Sequence, residues 1–370
     1  MTSLSNSNVS NERADSNVSN ERADIAIFKP RYYEGFDPSV AQELAELLQK
    51  AYGQFDQFAA DEKANKPLEQ RSKLQLGGEY QLRSEFYENS IPFGFVASKA
   101  SSNNVFVVFR GTKTFAEWFK DANIPLVSYN DGKNSEGGIL RVVGEKIQLI
   151  QSPVEIPEVG DFGRVTVGFR QIYTSLRNNM INALKLCDQD AQIFVTGHSL
   201  GGALATLAIP DILANTDFKP EKVILYTFAS PRCGDREFAI KFRDKRVRHW
   251  RIANTEDFVT MIPFPTGNIF TIQPPPLEGK KLEDIKEEKI GYGEVTTSKD
   301  GKPKNPNPLF GFFEAMYNRS AEILNGKKRR MPDYVHTGTP ICFTIHAAAL
   351  EEHHNLEKIY MSGISKFKDS

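Results

Sequence analysis

The sequence has few cysteines, no long apolar run and no excess of charge of one sign. Three cysteines occur in 370 residues, and an odd number at wide spacing argues against a disulfide framework. No apolar run approaches the roughly 20 residues that span a bilayer, and the N-terminal residues lack the basic and apolar regions of a signal peptide. We therefore expect a cytoplasmic protein, with export by a non-classical route left open.

The charge balance also excludes some functions. A formal net charge of -1 gives no electrostatic argument for nucleic-acid binding. The single basic run, residues 327–330, is predicted to be a solvated loop, since four charges are at the lower limit for binding anionic lipid. The composition, 40% hydrophobic and 25% charged, is that of an ordinary globular protein.

The chain divides into a short polar tail and one large domain. Residues 7–15 and 16–24 are identical copies, too polar to bury much surface, so residues 1–24 are predicted to be disordered. Residues 25–370 are predicted as one domain in which residues 264–333, rich in proline and charge, form an insertion. Strands and helices alternate elsewhere, which predicts an α/β fold with a mostly parallel sheet flanked by helices. The predicted strands are 91–99, 104–110, 192–196, 222–228, 247–252 and 334–344, and the predicted helices are 38–55, 166–186, 202–213 and 235–244, with a helix or loop-helix over 345–359.

A turn with a serine at its centre is the most informative motif. An apolar run leads into Gly197-His198-Ser199-Leu200-Gly201, and small apolar residues follow. This fits the pattern G-x-S-x-G between a strand and a helix, where the serine is a nucleophile held on a tight, strained turn. Bulky side chains two residues on either side would collide, and the two glycines avoid that collision. We predict Ser199 as the nucleophile.

A serine nucleophile needs a base, and the base needs an acid that orients it. In folds with this turn the chain order is serine, acid, histidine. The predicted strand 247–252 is followed by Asn254-Thr255-Glu256-Asp257-Phe258-Val259. Asp257 is the predicted acid because it lies in a loop just after a strand, and Glu256 is its competitor.

Four histidines follow the acid in the sequence: His336, His346, His353 and His354. The base is expected near the C-terminus beside the sheet, and we favour His354, with His353 as the rival. His336 is predicted to make a structural hydrogen bond, and His249, inside a predicted strand, is read as structural. Adjacent histidines rarely face one metal ion, so we expect neither a metal nor an organic cofactor.

The oxyanion of acyl transfer needs two backbone N–H donors. One is expected from Leu200, the residue after the nucleophile. The other is expected from Thr112, in the loop after the apolar run 105–109, and its hydroxyl could add a third donor. That apolar run is typical of a strand buried on both faces.

Together these segments resemble the class 3 lipases, a fungal-lipase-like family of α/β-hydrolases. The resemblance extends from about residue 90 to 360. In two places the sequence departs from the family pattern. Val167 stands where the family often has histidine. In the family an aromatic residue usually follows the catalytic histidine at a set distance, and Tyr360 lies about one residue too far from His354, so His353 remains an alternative base. The insertion 264–333 is also long for the family. The matching segments are residues 107–112, 117–121, 167–169, 195–204, 227–232 and 254–259.

The resemblance implies an α/β-hydrolase fold and hydrolysis of carboxylic esters of lipids by the triad Ser199, Asp257 and His354. Thr112 and Leu200 would form the oxyanion hole. The expected substrate is a lipid ester of the triacylglycerol type. A phospholipase A1, a galactolipase and a small-ester esterase remain alternatives, and a catalytically inactive lipid-binding protein is less favoured because the triad is intact.

Two apolar segments, residues 115–126 and 309–317, are candidates for a movable lid that meets lipid. The first lies in the family's lid region. The competing interpretation of both is a helix packed on the core. A lid would imply transient contact with a membrane or lipid-droplet surface, and faster hydrolysis once the substrate aggregates.

Overall fold

The computed structural model describes residues 35–112, 126–132, 140–143, 146–149, 154–263, 333–347 and 350–368. The tail 1–24, the lid candidate 309–317 and the basic run 327–330 lie outside the described residues. Residues 115–125 of the lid candidate 115–126 and residues 264–332 of the insertion also lie outside the described residues. Among the described helices, none combines the length and apolar composition that a membrane crossing requires.

The strands are, in chain order, β1 (Tyr80–Glu88), β2 (Ile91–Lys99), β3 (Asn104–Phe109), β4 (Leu126–Ser128), β5 (Leu140–Val143), β6 (Lys146–Leu149), β7 (Arg164–Thr166), β8 (Gln192–His198), β9 (Val223–Phe228), β10 (Gly234–Asp235), β11 (Arg248–Asn254), β12 (Tyr334–Val335) and β13 (Thr339–Phe343). The helices are α1 (Pro38–Lys63), α2 (Val167–Lys185), α3 (Leu200–Asn215), α4 (Arg236–Asp244) and α5 (Ser362–Lys368). Short 3-10 turns cover Leu68–Gln70, Pro220–Lys222, Phe258–Met261 and Leu350–His354, and a π-helical turn covers Leu356–Met361.

The main sheet of the described residues has the order β1-β2-β3-β8-β9-β11-β13. The strands β1, β2 and β3 run antiparallel, and every neighbour from β3 to β13 is parallel. A smaller sheet has the order β12-β10-β7-β4. The predicted α/β fold with a mostly parallel sheet is confirmed. The parallel strands bring the ends of β3, β8, β11 and β13 to one edge, where the candidate residues lie.

Both faces of the main sheet are buried. Along β3, Val105, Val107 and Phe109 face the core that contains α2 and α3, whereas Phe106 and Val108 face the core that contains α1 and the C-terminal turns. The alternation follows from the two-residue period of a strand. The prediction of a strand covered on both sides is therefore correct.

Two predicted elements differ in their extent from the structure, and one strand was not predicted. The helix predicted to end at residue 55 continues to Lys63, where buried Phe58 and Asp61 continue its inward face. The run 334–344 divides into β12 and β13 at Gly338, which has a φ of 81° and no room for a Cβ beside the His249 ring. Strand β1 was not predicted, because its intermediate burial gives no clear apolar pattern.

Candidate active site

Ser199 stands alone between β8 and α3, with φ 59° and ψ -130°. A residue with a side chain rarely adopts a positive φ, so this conformation is strained and must be held by its surroundings. Its N–H donates to the Phe228 oxygen at the end of β9, 2.9 Å away. The residue is fully buried, and its hydroxyl has no hydrogen-bond partner among the described residues.

Two glycines allow this turn to form. A Cβ on Gly197 would lie 2.0 Å from the Gly201 oxygen, and a Cβ on Gly201 would lie 2.1 Å from the Phe109 oxygen. Both distances are far inside van der Waals contact, so any side chain at these positions would force β8, α3 and β3 apart. The collision that explains the G-x-S-x-G pattern is with backbone atoms.

Asp257 and His354 meet at the carboxyl end of β11. Nδ1 of His354 lies 2.8 Å from Oδ2 of Asp257. The carboxylate also accepts the Val259 N–H at 3.0 Å and the Tyr360 hydroxyl at 2.6 Å. A carboxylate at Nδ1 fixes the histidine tautomer and leaves Nε2 as the nitrogen that can take a proton, which is the arrangement of a general base.

The two rival residues lie elsewhere. Nε2 of His353 accepts the Ala347 N–H at 2.9 Å, and Nδ1 of the same ring has no hydrogen-bond partner among the described residues. The Glu256 carboxylate lies 3.9 Å from Nδ1 of His346 and is exposed. The structure therefore brings together Asp257 and His354, the pair that the sequence favoured.

Glu256, His346 and His353 nonetheless form a cluster whose potential ligand atoms lie within 4.8 Å of one another. The Ala347 N–H uses the lone pair of His353 Nε2, so Nδ1 of the neutral ring carries the proton. A metal ion needs a nitrogen lone pair, and this ring offers none while the Ala347 hydrogen bond remains. As held, the cluster supplies two ligands rather than the three or four that a zinc site uses.

The loop after β3 touches the nucleophile. A Cβ on Gly111 would lie 2.7 Å from Cβ of Ser199. Arg110 donates to the Gly111 oxygen at 2.6 Å, and in a trans peptide the following N–H, that of Thr112, points the opposite way. The Thr112 hydroxyl is buried without a hydrogen-bond partner among the described residues.

Leu200 is the first residue of α3. The first N–H groups of a helix have no acceptor inside the helix, and the helix dipole makes this end partly positive. The N–H groups of Thr112 and Leu200 thus belong to the two segments that adjoin Ser199, and both suit a developing negative charge.

Arg110 fixes the loop in place. Its guanidinium is stacked 3.9 Å from the Phe55 ring centroid and 4.4 Å from that of Phe93, and Nε donates to the Pro92 oxygen at 2.6 Å. Burial lowers its pKa to about 10, so the side chain keeps its charge at neutral pH. From the sequence alone, this arginine had no predicted role beyond the end of a strand.

Tyr360 reaches Asp257 although it comes one residue late in the sequence. The structure accounts for the offset, because residues Leu356–Met361 form a π-helical turn in which the Tyr360 N–H bonds to the Asn355 oxygen five residues earlier, at 3.3 Å. A π-turn accommodates one residue more than an α-turn. The late spacing therefore gives no reason to prefer His353.

Two further residues at the site had no signal in the sequence. The Tyr52 hydroxyl on α1 lies 2.8 Å from Nδ1 of His198 and accepts the Gly111 N–H at 2.9 Å. Nε2 of His198 lies 3.0 Å from the His354 backbone oxygen. Tyr52 is 146 residues from His198 in the chain, and no local pattern connects such positions.

The remaining buried histidines are structural, as predicted. His336 donates through Nε2 to the Thr260 oxygen at 2.7 Å, and Nε2 of His249 lies 3.1 Å from the Thr227 hydroxyl. Burial lowers the pKa of both rings, that of His249 to about 3.

Comparison with known proteins gives a family match over the centre of the chain. Residues 106–267, which include Thr112, Ser199 and Asp257, match the family model described as Lipase (class 3). The loop after β3, the Ser199 turn and the Asp257 turn, whose contacts are described above, all lie within these matched residues. The match ends before His354.

The chain is also similar to proteins named for lipid hydrolysis. It is 29% identical over 168 residues to Phospholipase A(1) DAD1, chloroplastic, of Arabidopsis thaliana, covering 45% of this chain and 35% of that protein. It is 28% identical over 200 residues to Triacylglycerol lipase OBL1 of Ricinus communis, covering 48% and 38%. The matched region thus spans well under half the length of these curated relatives.

Among solved structures, the lipase from Rhizopus microsporus var. chinensis is similar with a TM-score of 0.42 and 21% identity. The alignment covers 60% of this chain and 70% of that chain.

Proposed function

We propose that this chain, whose residues 106–267 match the model of the class 3 lipases, is a serine hydrolase that cleaves the carboxylic ester bonds of lipids. The observation that carries the proposal is the hydrogen bond of 2.8 Å between His354 and Asp257, formed at the same sheet edge as a serine on a strained strand-to-helix turn. In a serine triad the carboxylate at Nδ1 orients the histidine and stabilises the imidazolium that forms when Nε2 takes the serine proton.

In the proposed reaction, His354 Nε2 takes the proton of the Ser199 hydroxyl as the oxygen attacks the ester carbonyl carbon. The N–H groups of Thr112 and Leu200 bind the oxyanion. His354 then gives its proton to the leaving alcohol oxygen, and the carbon–oxygen ester bond breaks to leave an acyl group on Ser199. Water, deprotonated by His354, attacks the acyl carbon. The bond between that carbon and the Ser199 oxygen breaks, His354 returns its proton to the Ser199 oxygen, and the fatty acid is released. Asp257 stabilises the imidazolium in both halves of the reaction.

We propose residues 25–370 as the hydrolase domain, with residues 264–333 as an insertion into it. The catalytic groups proposed within it come from four separated segments: the loop at 110–112, the turn at 199, the turn at 257 and the C-terminal turn at 354. All of them fall between the first and last described residues of the main fold.

The substrate class is proposed as triacylglycerol-type lipid, with phospholipid as the second candidate. Relatives named triacylglycerol lipase and phospholipase A1 both match the chain at similar identity. Because the triad chemistry is the same for both, the choice between them depends on the groups that bind the rest of the lipid.

A substrate panel tests the proposal. Purified protein is assayed on triacylglycerols of graded chain length, on phosphatidylcholine with fatty-acid release resolved by position, and on short-chain nitrophenyl esters, with Ser199→Ala as the matched control. We expect release of fatty acid by the wild type and none above background by the variant. Equal turnover by both proteins would overturn the proposal.

A transient contact with a lipid surface, through an apolar lid, is part of the proposal. Its test compares specific activity below and above the concentration at which the substrate aggregates. A lid that opens at the surface predicts a rise above that concentration. Equal specific activity on monomeric and emulsified substrate would contradict the proposal of a lid that opens at the surface.

A further inference from the structure

Tyr52 lies where three parts of the proposed active site meet, although it belongs to α1. Its hydroxyl contacts Gly111 and His198, and the His198 ring contacts the backbone of His354. We infer that Tyr52 is a positioning residue that holds the oxyanion loop, the nucleophile turn and the turn of the proposed catalytic histidine together. The inference rests on the proposed function.

The direction of each hydrogen bond follows from the partners at the two ends. A backbone oxygen only accepts, so Nε2 of His198 carries the proton that it donates to the His354 oxygen. In a neutral imidazole Nδ1 is then an acceptor, and it receives the Tyr52 hydroxyl proton. The Tyr52 oxygen is left to accept the Gly111 N–H. For a neutral His198, each of these donors therefore has one acceptor, and the direction of all three hydrogen bonds is determined.

The protonation states agree with this direction. Complete burial lowers the pKa of His198 well below its usual value, so the ring is neutral at working pH. Burial raises the pKa of the Tyr52 phenol, so the phenol keeps the proton that it donates. Neither group changes charge under the conditions of ester hydrolysis, which suits a fixed support rather than a proton donor.

At one end, the chain of hydrogen bonds fixes the oxyanion loop. Tyr52 holds the Gly111 N–H, and Arg110 holds the Gly111 oxygen. The peptide that presents the Thr112 N–H is thus held at its oxygen by Arg110, and the peptide before it is held at its N–H by Tyr52. A donor fixed before the reaction stabilises the oxyanion without the cost of reorganisation.

At the other end, the same series of hydrogen bonds fixes the turn that contains His354. His198 holds the backbone of His354, while Asp257 holds its ring. The two rings lie 4.8 Å apart between centroids. A neutral His198 at that distance leaves His354 free to take a proton, whereas a charged one would oppose it. Donation from Tyr52 occupies the nitrogen at which His198 would otherwise be protonated.

The variant Tyr52→Phe tests the inference, since it keeps the ring against His198 and removes only the hydroxyl. We expect kcat on a short-chain nitrophenyl ester to fall by about 10-fold to 100-fold, with KM within about twofold, because misplaced catalytic groups slow the chemical step. Rates are expressed per active site, counted by stoichiometric labelling with a fluorophosphonate. The matched control is Tyr80→Phe, which removes a hydroxyl bonded to Glu43 on the same helix and should keep the wild-type kcat.

A wild-type kcat for Tyr52→Phe, a loss equal to that of Tyr80→Phe, or a change in KM alone would overturn the inference. If Tyr52→Phe does not fold, nitrogen NMR of the wild-type histidines decides. The inference requires His198 to be neutral with its proton on Nε2, and a proton on Nδ1 would overturn it. A wild-type protein that neither hydrolyses esters nor is labelled would instead overturn the proposed function.

Discussion

The Tyr360 hydroxyl lies 2.6 Å from Oδ2 of Asp257, the same oxygen that faces Nδ1 of His354 at 2.8 Å. The phenol also accepts the Asn254 N–H at 3.2 Å. Burial and the nearby carboxylate raise the pKa of Tyr360, so the phenol remains a donor. Tyr360 and His354 therefore share one carboxylate oxygen, and Tyr360 sets the position of the acid.

Replacement of Tyr360 by phenylalanine should lower kcat by about 10-fold to 150-fold, because a hydrogen bond to a charged group contributes about 1.5–3 kcal/mol and 1.36 kcal/mol corresponds to a factor of ten in rate. Steady-state kinetics on a soluble ester measures the change. Tyr129→Phe is the control, since it removes a buried hydroxyl bonded to the Leu207 oxygen outside the triad. Equal kcat values for the two variants would remove the role assigned to Tyr360.

The two adjacent histidines should differ sharply in their importance for activity. His354→Ala is expected to reduce kcat by about 10⁴-fold or more, as loss of the base of a triad does. His353→Gln keeps an acceptor for the Ala347 N–H and should retain activity within a few-fold. Ester hydrolysis by both variants, with folding checked by circular dichroism, provides the measurement. A greater loss of kcat for the His353 variant would show that His353, rather than His354, is the base.

Gly201 should tolerate no side chain. A Cβ there would lie 2.1 Å from the Phe109 oxygen, so Gly201→Ala should lower the free energy of unfolding by about 4 kcal/mol or more, or prevent folding. Gly53→Ala, on α1, meets nothing within 4 Å and should stabilise the helix by about 1 kcal/mol. Thermal unfolding of the two variants separates a steric effect from a general effect of alanine. Similar melting temperatures would contradict the turn geometry.

The buried histidines should make stability depend on pH. Burial lowers the pKa of His198, His249 and His336, so below pH about 6.5 the unfolded chain takes up protons that the native state does not. The free energy of unfolding should therefore fall as pH falls below that value, by about 1.4 kcal/mol per pH unit for each histidine.

Urea unfolding between pH 8 and pH 5 measures this dependence. His249→Gln should make the slope shallower by one histidine's share. A stability that stays constant over the range would show that the three rings take up protons as readily in the native state as in the unfolded chain, which contradicts the lowered pKa values.

Much of the fold was predictable because its signals are local. The apolar run of β3 and the glycines around Ser199 each act within a few residues, and each was read correctly. Strand β1 was missed because its side chains are only partly buried. The division of 334–344 was missed because it depends on the contact between Gly338 and His249, which is remote in the sequence.

The candidate site was predictable to the extent that it follows chain order. Ser199, Asp257 and His354 each lie just after a strand or in a C-terminal turn, where parallel strands collect side chains at one edge. Tyr52 and Arg110 could not be assigned, because their roles arise from packing of α1 against the ends of β3 and β8. The spacing between His354 and Tyr360 is about one residue longer than the family pattern, and the π-helical turn that accounts for it was not predicted from the sequence.

The most direct test of the central claim is mass spectrometry after reaction with a fluorophosphonate. Only an activated serine reacts, so the account predicts one adduct, on the peptide that contains Ser199, formed by the wild type and absent from His354→Ala. No adduct on folded wild-type protein, or an adduct on another serine with Ser199 unmodified, would contradict it.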